Sequence, residues 1–130
     1  MSEHYSFRGN WALILGASSG FGAAAAIELA RKGMNIFGVH LDRSSTMRNA
    51  ERLVEEIRGL GQEALFFNTN AASPAKRAEV LDAIEAKLAE DGGKSKIMVL
   101  FHSLAFGSLG MFLAPEPRSS ITQSQMEMTL

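Results

Sequence analysis

The sequence contains no cysteine, three prolines, one tryptophan and one tyrosine among its 130 residues. Without cysteine, disulfide scaffolds, thiolate zinc sites and cysteine nucleophiles are all excluded. The 13 basic and 14 acidic side chains leave a formal net charge of −1, so no electrostatic argument favours a nucleic acid or an anionic membrane as partner. No apolar run approaches the roughly 18 residues of a membrane span, and the polar start MSEHYSFRGN is unlike a secretion signal. We therefore expect a cytoplasmic protein without a nucleic-acid or membrane partner.

Short apolar runs alternate with helical patterns along the chain. Four runs predict strands, namely WALILG (11–16), NIFGVH (35–40), EALFFN (63–68) and KIMVLFH (96–102). The first is almost continuously apolar, which is typical of a strand covered on both faces of a sheet. Strands separated by helices favour βαβ units and a mostly parallel sheet.

Each gap between the strands carries the signals of a helix. The first helix is predicted over 20–32, with Gly33 as its C-terminal stop. The second has an apolar face and ends at the glycines that follow it. Ser73 and Pro74 begin the third as N-cap and first-turn residue. The predicted apolar faces consist of Met47, Ala50, Leu53, Val54 and Ile57 in the second helix, and of Leu81, Ile84 and Leu88 in the third.

The last residues of the chain begin a further helix. Thr122 and Gln125 have capping-box spacing, and Met126 and Leu130 share one helical face. The chain stops about two turns later, and so short a helix is marginal by itself. We therefore expect residues 1–130 to be one domain, incomplete at its C-terminal end, from a longer protein. The fourth strand would then form an exposed sheet edge that needs a companion segment.

A glycine-rich stretch, LILGASSGFGAAAA (13–26), joins the first strand to the first helix. Gly16 permits a tight turn, Gly20 allows close approach of a pyrophosphate to the backbone, and Gly22 allows the helix to pack closely. The helix N-terminus presents amides to the phosphates, and Ser18 and Ser19 can add hydroxyl donors. The alternative is a strand-to-helix turn without a ligand.

The glycine spacing separates this loop from two common phosphate-binding patterns. It is GxxxGxG and not the GxGxxG of the common dinucleotide fold. It is also not a P-loop, because Phe21 stands where the second glycine is needed and no lysine follows. Since the loop lies between a strand and a helix, we expect a Rossmann-type α/β fold, a doubly wound parallel sheet of which this chain is the N-terminal portion, with four strands and their intervening helices.

The segment FRGNWALILGASSGFGAAAAIELARKG (7–33) resembles the opening of short-chain dehydrogenases/reductases, which carry Thr-Gly-x-x-x-Gly-x-Gly after the first strand. Leu15 replaces the threonine of that pattern, and the resemblance extends through the whole chain. The run FHSLAFG (101–107) is closer to the enoyl-acyl-carrier-protein reductase branch, whereas GASSGFG is closer to the main group of the family.

The resemblance implies contacts with a nicotinamide dinucleotide at the ends of the strands. Asn70 occupies the position of an aspartate that hydrogen-bonds adenine, and Ala71 follows it. Ser103, Leu104 and Ala105 replace the Asn-Ala-Gly that lies beside the cofactor. The candidate cofactor-binding residues are therefore Gly16, Ser18, Ser19, Gly20, Phe21, Gly22, Asp42, Arg43, Asn70, Ala71, Ser103 and Leu104.

The sequence leaves the choice between NAD and NADP open. An acidic residue after the second strand would bind the ribose 2′-hydroxyl, and an arginine would bind the 2′-phosphate. The family's acidic position falls on His40, with Asp42 and Arg43 just after it. Arg43 can reach a phosphate and Asp42 a ribose. Because His40 is not acidic and Arg48 is also nearby, the sequence favours NADP(H). The scattered histidines have no metal-ligand spacing, so no metal site is expected.

Catalysis in this family uses a tyrosine followed four residues later by a lysine, which lowers the tyrosine pKa. The single tyrosine, Tyr5, is followed by Gly9 at that spacing, so no catalytic residue is assigned. The resemblance implies an NAD(P)-dependent oxidoreductase acting on a small-molecule carbonyl, alcohol or enoyl substrate, and a homo-oligomer in the complete protein. The alternatives are a non-catalytic dinucleotide-binding or regulatory module and an unrelated α/β nucleotide binder.

Overall fold

Strands and helices alternate strictly through residues 6–104, the part of the chain that the computed structural model describes. The elements are β1 (Trp11–Leu15), α1 (Gly20–Arg31), β2 (Asn35–His40), α2 (Met47–Gly59), β3 (Ala64–Asn68), α3 (Pro74–Ala89) and β4 (Ile97–His102). All seven elements predicted for this part are confirmed, with bounds that differ by one residue or less at most ends. The predicted C-terminal helix, Tyr5 and Ala105 lie outside the described residues.

The four strands form one parallel sheet in the order β3-β2-β1-β4. Leu13 of β1 is in register with Phe37 of β2, which is in register with Leu65 of β3. The chain first adds β2 and β3 on one side of β1 and then returns to place β4 on the other side. This reversal creates the topological switch point of a doubly wound sheet, where ligands bind beyond the carboxyl ends of the strands. The predicted Rossmann-type fold is thereby confirmed.

Helices α1 and α2 cover one face of the sheet. The core there combines Ile14 and Ile36 from the strands with Leu53 and Ile57 from α2, all buried. Helix α1 contributes small side chains, including the fully buried Ala26, which permits close approach to the sheet. Of the predicted α2 face, Ala50, Leu53 and Ile57 are buried, and Met47 and Val54 are half-buried.

The helix ends follow the capping signals in the sequence. After α1, Gly33 has φ +99° and donates to Ala30, while the amide of Met34 donates to Leu29. This is the Schellman pattern, in which a left-handed glycine allows the last carbonyls to be satisfied. At the start of α3, the Ser73 hydroxyl accepts from the amide of Lys76 at 3.4 Å, so the predicted N-cap is confirmed.

Helix α3 packs on the opposite face, against side chains of β1, β2 and β3. The Trp11 and Phe37 rings stack there with centroids 3.9 Å apart, and Val80 and Ile84 of α3 pack against this cluster. The prediction that Leu81 is buried is wrong, since Leu81 is 58% exposed. The stripe that faces the sheet is Val80, Ile84 and Leu88, at intervals of four.

Leu81 instead lines an apolar groove of about 470 Å³ beside α3. The opposite wall includes Leu13 of β1 and Leu100 of β4, and Leu100 is 65% exposed. Within residues 6–104, β4 pairs with β1 alone and forms one edge of the sheet. In the same part of the chain, no helix is both long and apolar enough to cross a lipid bilayer.

Candidate functional site

The carboxyl ends of all four parallel strands meet at one edge of the sheet, and the loops that follow them form the candidate site. We call residues 16–19 the glycine loop and residues 41–46 the second loop. The glycine loop follows β1, the strand beside the switch point, where a doubly wound sheet has its ligand crevice. Residues 69–73 and 103–104 follow β3 and β4.

Gly16 joins the glycine loop to both neighbouring strands. Its amide and that of Ala17 donate to the carbonyl of Val39 at 2.8 and 3.1 Å. Gly16 has φ +86°, and a Cβ atom at this position would overlap the carbonyl oxygen of Ser103. The missing side chain therefore permits the turn, as predicted, and also lets the segment after β4 lie against the loop.

Gly22 is buried in the first turn of α1. A Cβ atom here would overlap the carbonyl oxygen of Gly16 and lie 3.3 Å from Cα of Ala17. The sequence predicted that Gly22 brings the helix close to the sheet. The structure shows that Gly22 brings the helix against the backbone of the glycine loop, so this glycine also shapes the loop itself.

Gly20 differs from the other two glycines because its surroundings are open. It is exposed, has φ +58°, and a Cβ atom would find no protein atom within 4 Å. Ser19 is the N-cap of α1, yet its side chain makes no capping hydrogen bond, and the first turn carries no acidic residue. Phe21 is 83% exposed. The first turn of α1 therefore presents bare backbone and the positive end of the helix to solvent.

The second loop is held by a buried histidine and a carboxylate. The His40 side chain is 2% exposed, and its Nδ1 lies 2.8 Å from Oδ2 of Asp42, which is 12% exposed. The Thr46 hydroxyl donates to Oδ1 of Asp42, also at 2.8 Å. Burial raises the pKa of Asp42, but side-chain hydrogen bonds from Ser18, Thr46 and His40 outweigh it and hold the pKa below its usual value. Asp42 is therefore ionised at neutral pH.

Asn68, the last residue of β3, fixes the backbone of the second loop. Its Oδ1 accepts from the Asp42 amide at 2.8 Å, and its Nδ2 donates to the Asp42 carbonyl at 3.0 Å. Neither Asn68 nor Thr46 was among the residues predicted from the sequence. The available signal was the strand register, which places Asn68 directly beside His40.

The two arginines of this region lie on the surface. Arg43 and Arg48 are exposed, and neither forms a salt bridge with any of residues 6–104. The Arg43 carbonyl accepts from the amides of Thr46 and Met47, which starts the turn into α2. Its guanidinium is thus available at the edge of the second loop.

The predicted residues after β3 and β4 reach the same edge of the sheet. Asn70 is exposed, and its Oδ1 accepts from the amide of Ala72 at 3.0 Å. A small cavity of about 140 Å³ lies here, lined by Val39, His40, Leu41, Thr69, Asn70, Ala71 and Leu104. The amide of Ser103 donates to the carbonyl of Leu15 at 2.8 Å. The predicted site residues therefore lie at this edge of the sheet, on the four loops and, for Gly20, Phe21 and Gly22, in the first turn of α1.

Comparison with known proteins agrees with this arrangement. The family model described as short chain dehydrogenase matches residues 10–117. The chain belongs to the short-chain dehydrogenase family. A family relative from Emericella nidulans, "Short chain dehydrogenase mdpC", is 31% identical over 106 residues, which make up 82% of this chain and 38% of the relative.

Solved structures of similar proteins show the same fold. A hydroxysteroid dehydrogenase from Escherichia coli is 25% identical, with a TM-score of 0.65 over 84% of this chain and 42% of that protein. A blue fluorescent protein from a metagenomic library, in complex with NADPH, is 27% identical, with a TM-score of 0.64 over 95% of this chain and 45% of that protein. The chain thus spans less than half the length of each of these three proteins. The enoyl-reductase branch suggested by residues 101–107 stays a prediction.

Proposed function

We propose that this chain supplies the dinucleotide-binding part of an oxidoreductase that uses a nicotinamide cofactor. The observation that carries the proposal is the open backbone at Gly20. At Gly16 and Gly22, protein backbone occupies the space that a Cβ atom would need. At Gly20, the third glycine of the motif, that space is open. Of these three glycines, Gly20 is therefore the one at which a ligand could approach bare backbone next to the helix N-terminus.

A pyrophosphate has the chemistry that this position favours. The uncapped first turn of α1 offers amide donors and the positive end of the helix dipole, and no acidic side chain of that turn opposes an anion. The adenosine half of a dinucleotide would extend toward the ends of β2 and β3, where Asn70 and Ala71 border the small cavity. The other half would extend toward Ser103 and Leu104. The similar protein solved with NADPH supports this type of ligand.

The nicotinamide group, when bound, supplies hydride transfer to or from a carbonyl, alcohol or enoyl group of a small substrate. The described residues of this chain bind and orient the cofactor. The tyrosine of the acid/base pair that the family uses does not occur in residues 6–104, and we propose that the protein is a homo-oligomer. Of the two cofactors, the exposed Arg43 supports NADP(H), as the sequence predicts, while the neighbouring carboxylate of Asp42 opposes a second phosphate.

The test is Gly20→Ala in the full-length protein, with Gly61→Ala as the matched control. Both glycines have positive φ, +58° and +87°, and neither has a protein atom near the Cβ position, so backbone strain is similar. Titration with NADH or NADPH, followed by nucleotide fluorescence, should show at least about tenfold weaker binding for Gly20→Ala. The Gly61→Ala variant should bind like the wild type. Equal affinities in the two variants would overturn the assignment of the glycine loop.

A further inference from the structure

The face of the sheet that carries α3 is only partly covered by residues 6–104. Strand β1 lies inside the sheet, and on the side of α1 and α2 its Ala12 and Ile14 side chains are fully buried. On the side of α3, Leu13 and Leu15 of the same strand are only half-buried, and both line the apolar groove. Within the described part of the chain, this face therefore has less cover than the other.

Two leucines that border the groove are exposed to solvent. Leu81 of α3 is 58% exposed and Leu100 of β4 is 65% exposed within residues 6–104. Arg77 also lines the groove, but its guanidinium donates to the carbonyls of Ala71 and Ala72 at 3.0 and 3.1 Å. A contiguous apolar patch of this kind marks a surface on which another segment or molecule packs. An apolar occupant fits it better than a charged ligand does.

The order of the strands indicates which segment reaches this surface. Helices α1 and α2 connect β1 to β2 and β2 to β3, and both lie on one face of the sheet. Helix α3 connects β3 back to β4, in the opposite direction, and lies on the other face. Both placements follow from the right-handed connection of parallel strands. A connection that continues outward from β4 has the same direction as that of α3, so its helix would lie on the groove face, beside α3.

The segment that follows β4 along the chain has the composition of an apolar cover. Leu104, the last described residue, itself lines the groove, so the chain leaves β4 at this surface. Residues 105–130 contain nine large apolar side chains and three charged ones. The helix predicted near their end has Met126 and Leu130 on one face.

We propose that residues 105–130 cover this groove, and that their predicted helix lies beside α3 with Met126 and Leu130 packed between Leu81 and Leu100. The exposed position of Leu81 then has a role, because it is the residue of α3 that meets the neighbouring helix. This contact concerns one face of the sheet. It is independent of the proposed cofactor site and of strand pairing at the edge of β4.

The first test measures whether the groove is covered in the full-length protein. Leu100 and Leu41 are almost equally exposed within residues 6–104, at 65% and 66%, and of these two Leu100 lines the groove. Leu100→Ala should lower the urea midpoint by about 1 M, because truncating a covered leucine leaves a cavity. The control Leu41→Ala should shift it by less than about 0.3 M, as at other surface sites. Equal midpoints in the two variants would overturn the proposal.

The second test identifies the occupant through thiol reactivity in the full-length protein. Residues 1–130 contain no cysteine, so Leu81→Cys places a single thiol of this segment at the groove. The control Glu79→Cys places one at an exposed position on the other side of α3. Alkylation by iodoacetamide, read for each position by peptide mass spectrometry, should be at least about tenfold slower at position 81 than at position 79. The rate at position 81 should not depend on protein concentration.

A double variant of the segment completes this test. Met126→Ala/Leu130→Ala keeps helix propensity and removes the apolar contact, so the rate at position 81 should rise close to that at position 79. A urea transition of the variant checks that it is folded. A slow rate that persists in the double variant would assign the cover to another segment, and one that rises on dilution would assign it to a second copy. Either result, or equal rates at positions 81 and 79 without the double substitution, would overturn the proposal.

Discussion

The glycine loop and the second loop leave neighbouring strands at the same edge of the sheet, yet they are shaped in opposite ways. In the glycine loop, backbone packs directly on backbone, since Gly16 and Gly22 have no room for a Cβ atom. In the second loop, hydrogen bonds between side chains centre on Asp42. One loop thus exposes bare amides to an anion, and the other presents a fixed negative charge. The same edge of the sheet therefore carries two neighbouring loops of opposite electrostatic character.

The largest expected effect on stability comes from a substitution at Gly22, where helix α1 contacts the backbone of the glycine loop. In Gly22→Ala the new Cβ overlaps the carbonyl oxygen of Gly16, which cannot move as a flexible side chain would. We expect a loss of about 3 kcal/mol in the free energy of unfolding. The matched control is Gly59→Ala, also in a helix but with nothing within 4 Å, which should gain about 0.5–1 kcal/mol. Urea denaturation measures both, and similar stabilities in the two variants would contradict the close packing at Gly22.

A smaller effect is expected in the second loop, where the free energy of unfolding should depend on the ionisation of Asp42. The pKa of Asp42 is lowered in the folded state, so its ionised form contributes stability that is present above its unfolded value of 3.8 and is lost as the pH falls through the folded pKa. Wild-type stability should therefore fall more steeply below about pH 4 than that of Asp42→Asn. Urea midpoints at neutral and acid pH would measure this. Parallel pH profiles would contradict the hydrogen-bonded state of the carboxylate.

The order of the elements was predictable because each boundary has a local signal. Gly33 stops α1 and Ser73 caps α3 through contacts within a few residues, which a sequence displays directly. The burial of Leu81 was not predictable in the same way. Ile84 and Leu88 belong to either of two adjacent stripes of α3, and only the way the helix packs on the sheet selects Val80 in place of Leu81.

The sequence predicted where the candidate site lies, but it did not predict how the residues of the site contact one another. The motif identified the three glycines together, but their different roles depend on where Ser103 and the first turn of α1 lie in space. Asn68 and Thr46 have no periodicity that marks them, because their partner Asp42 is brought to them by strand register and by the turn of the loop. Contacts of this kind require three-dimensional information.

The most direct test of the central claim is to follow backbone amide resonances of the full-length protein during titration with NADH. We predict saturable shifts for the amides of residues 19–22, since these face the proposed pyrophosphate. The amides of Gly92 and Gly93, which follow α3 on the chain's return to β4, should not change. Saturable binding that leaves residues 19–22 unshifted would contradict the assignment of the glycine loop as the dinucleotide site.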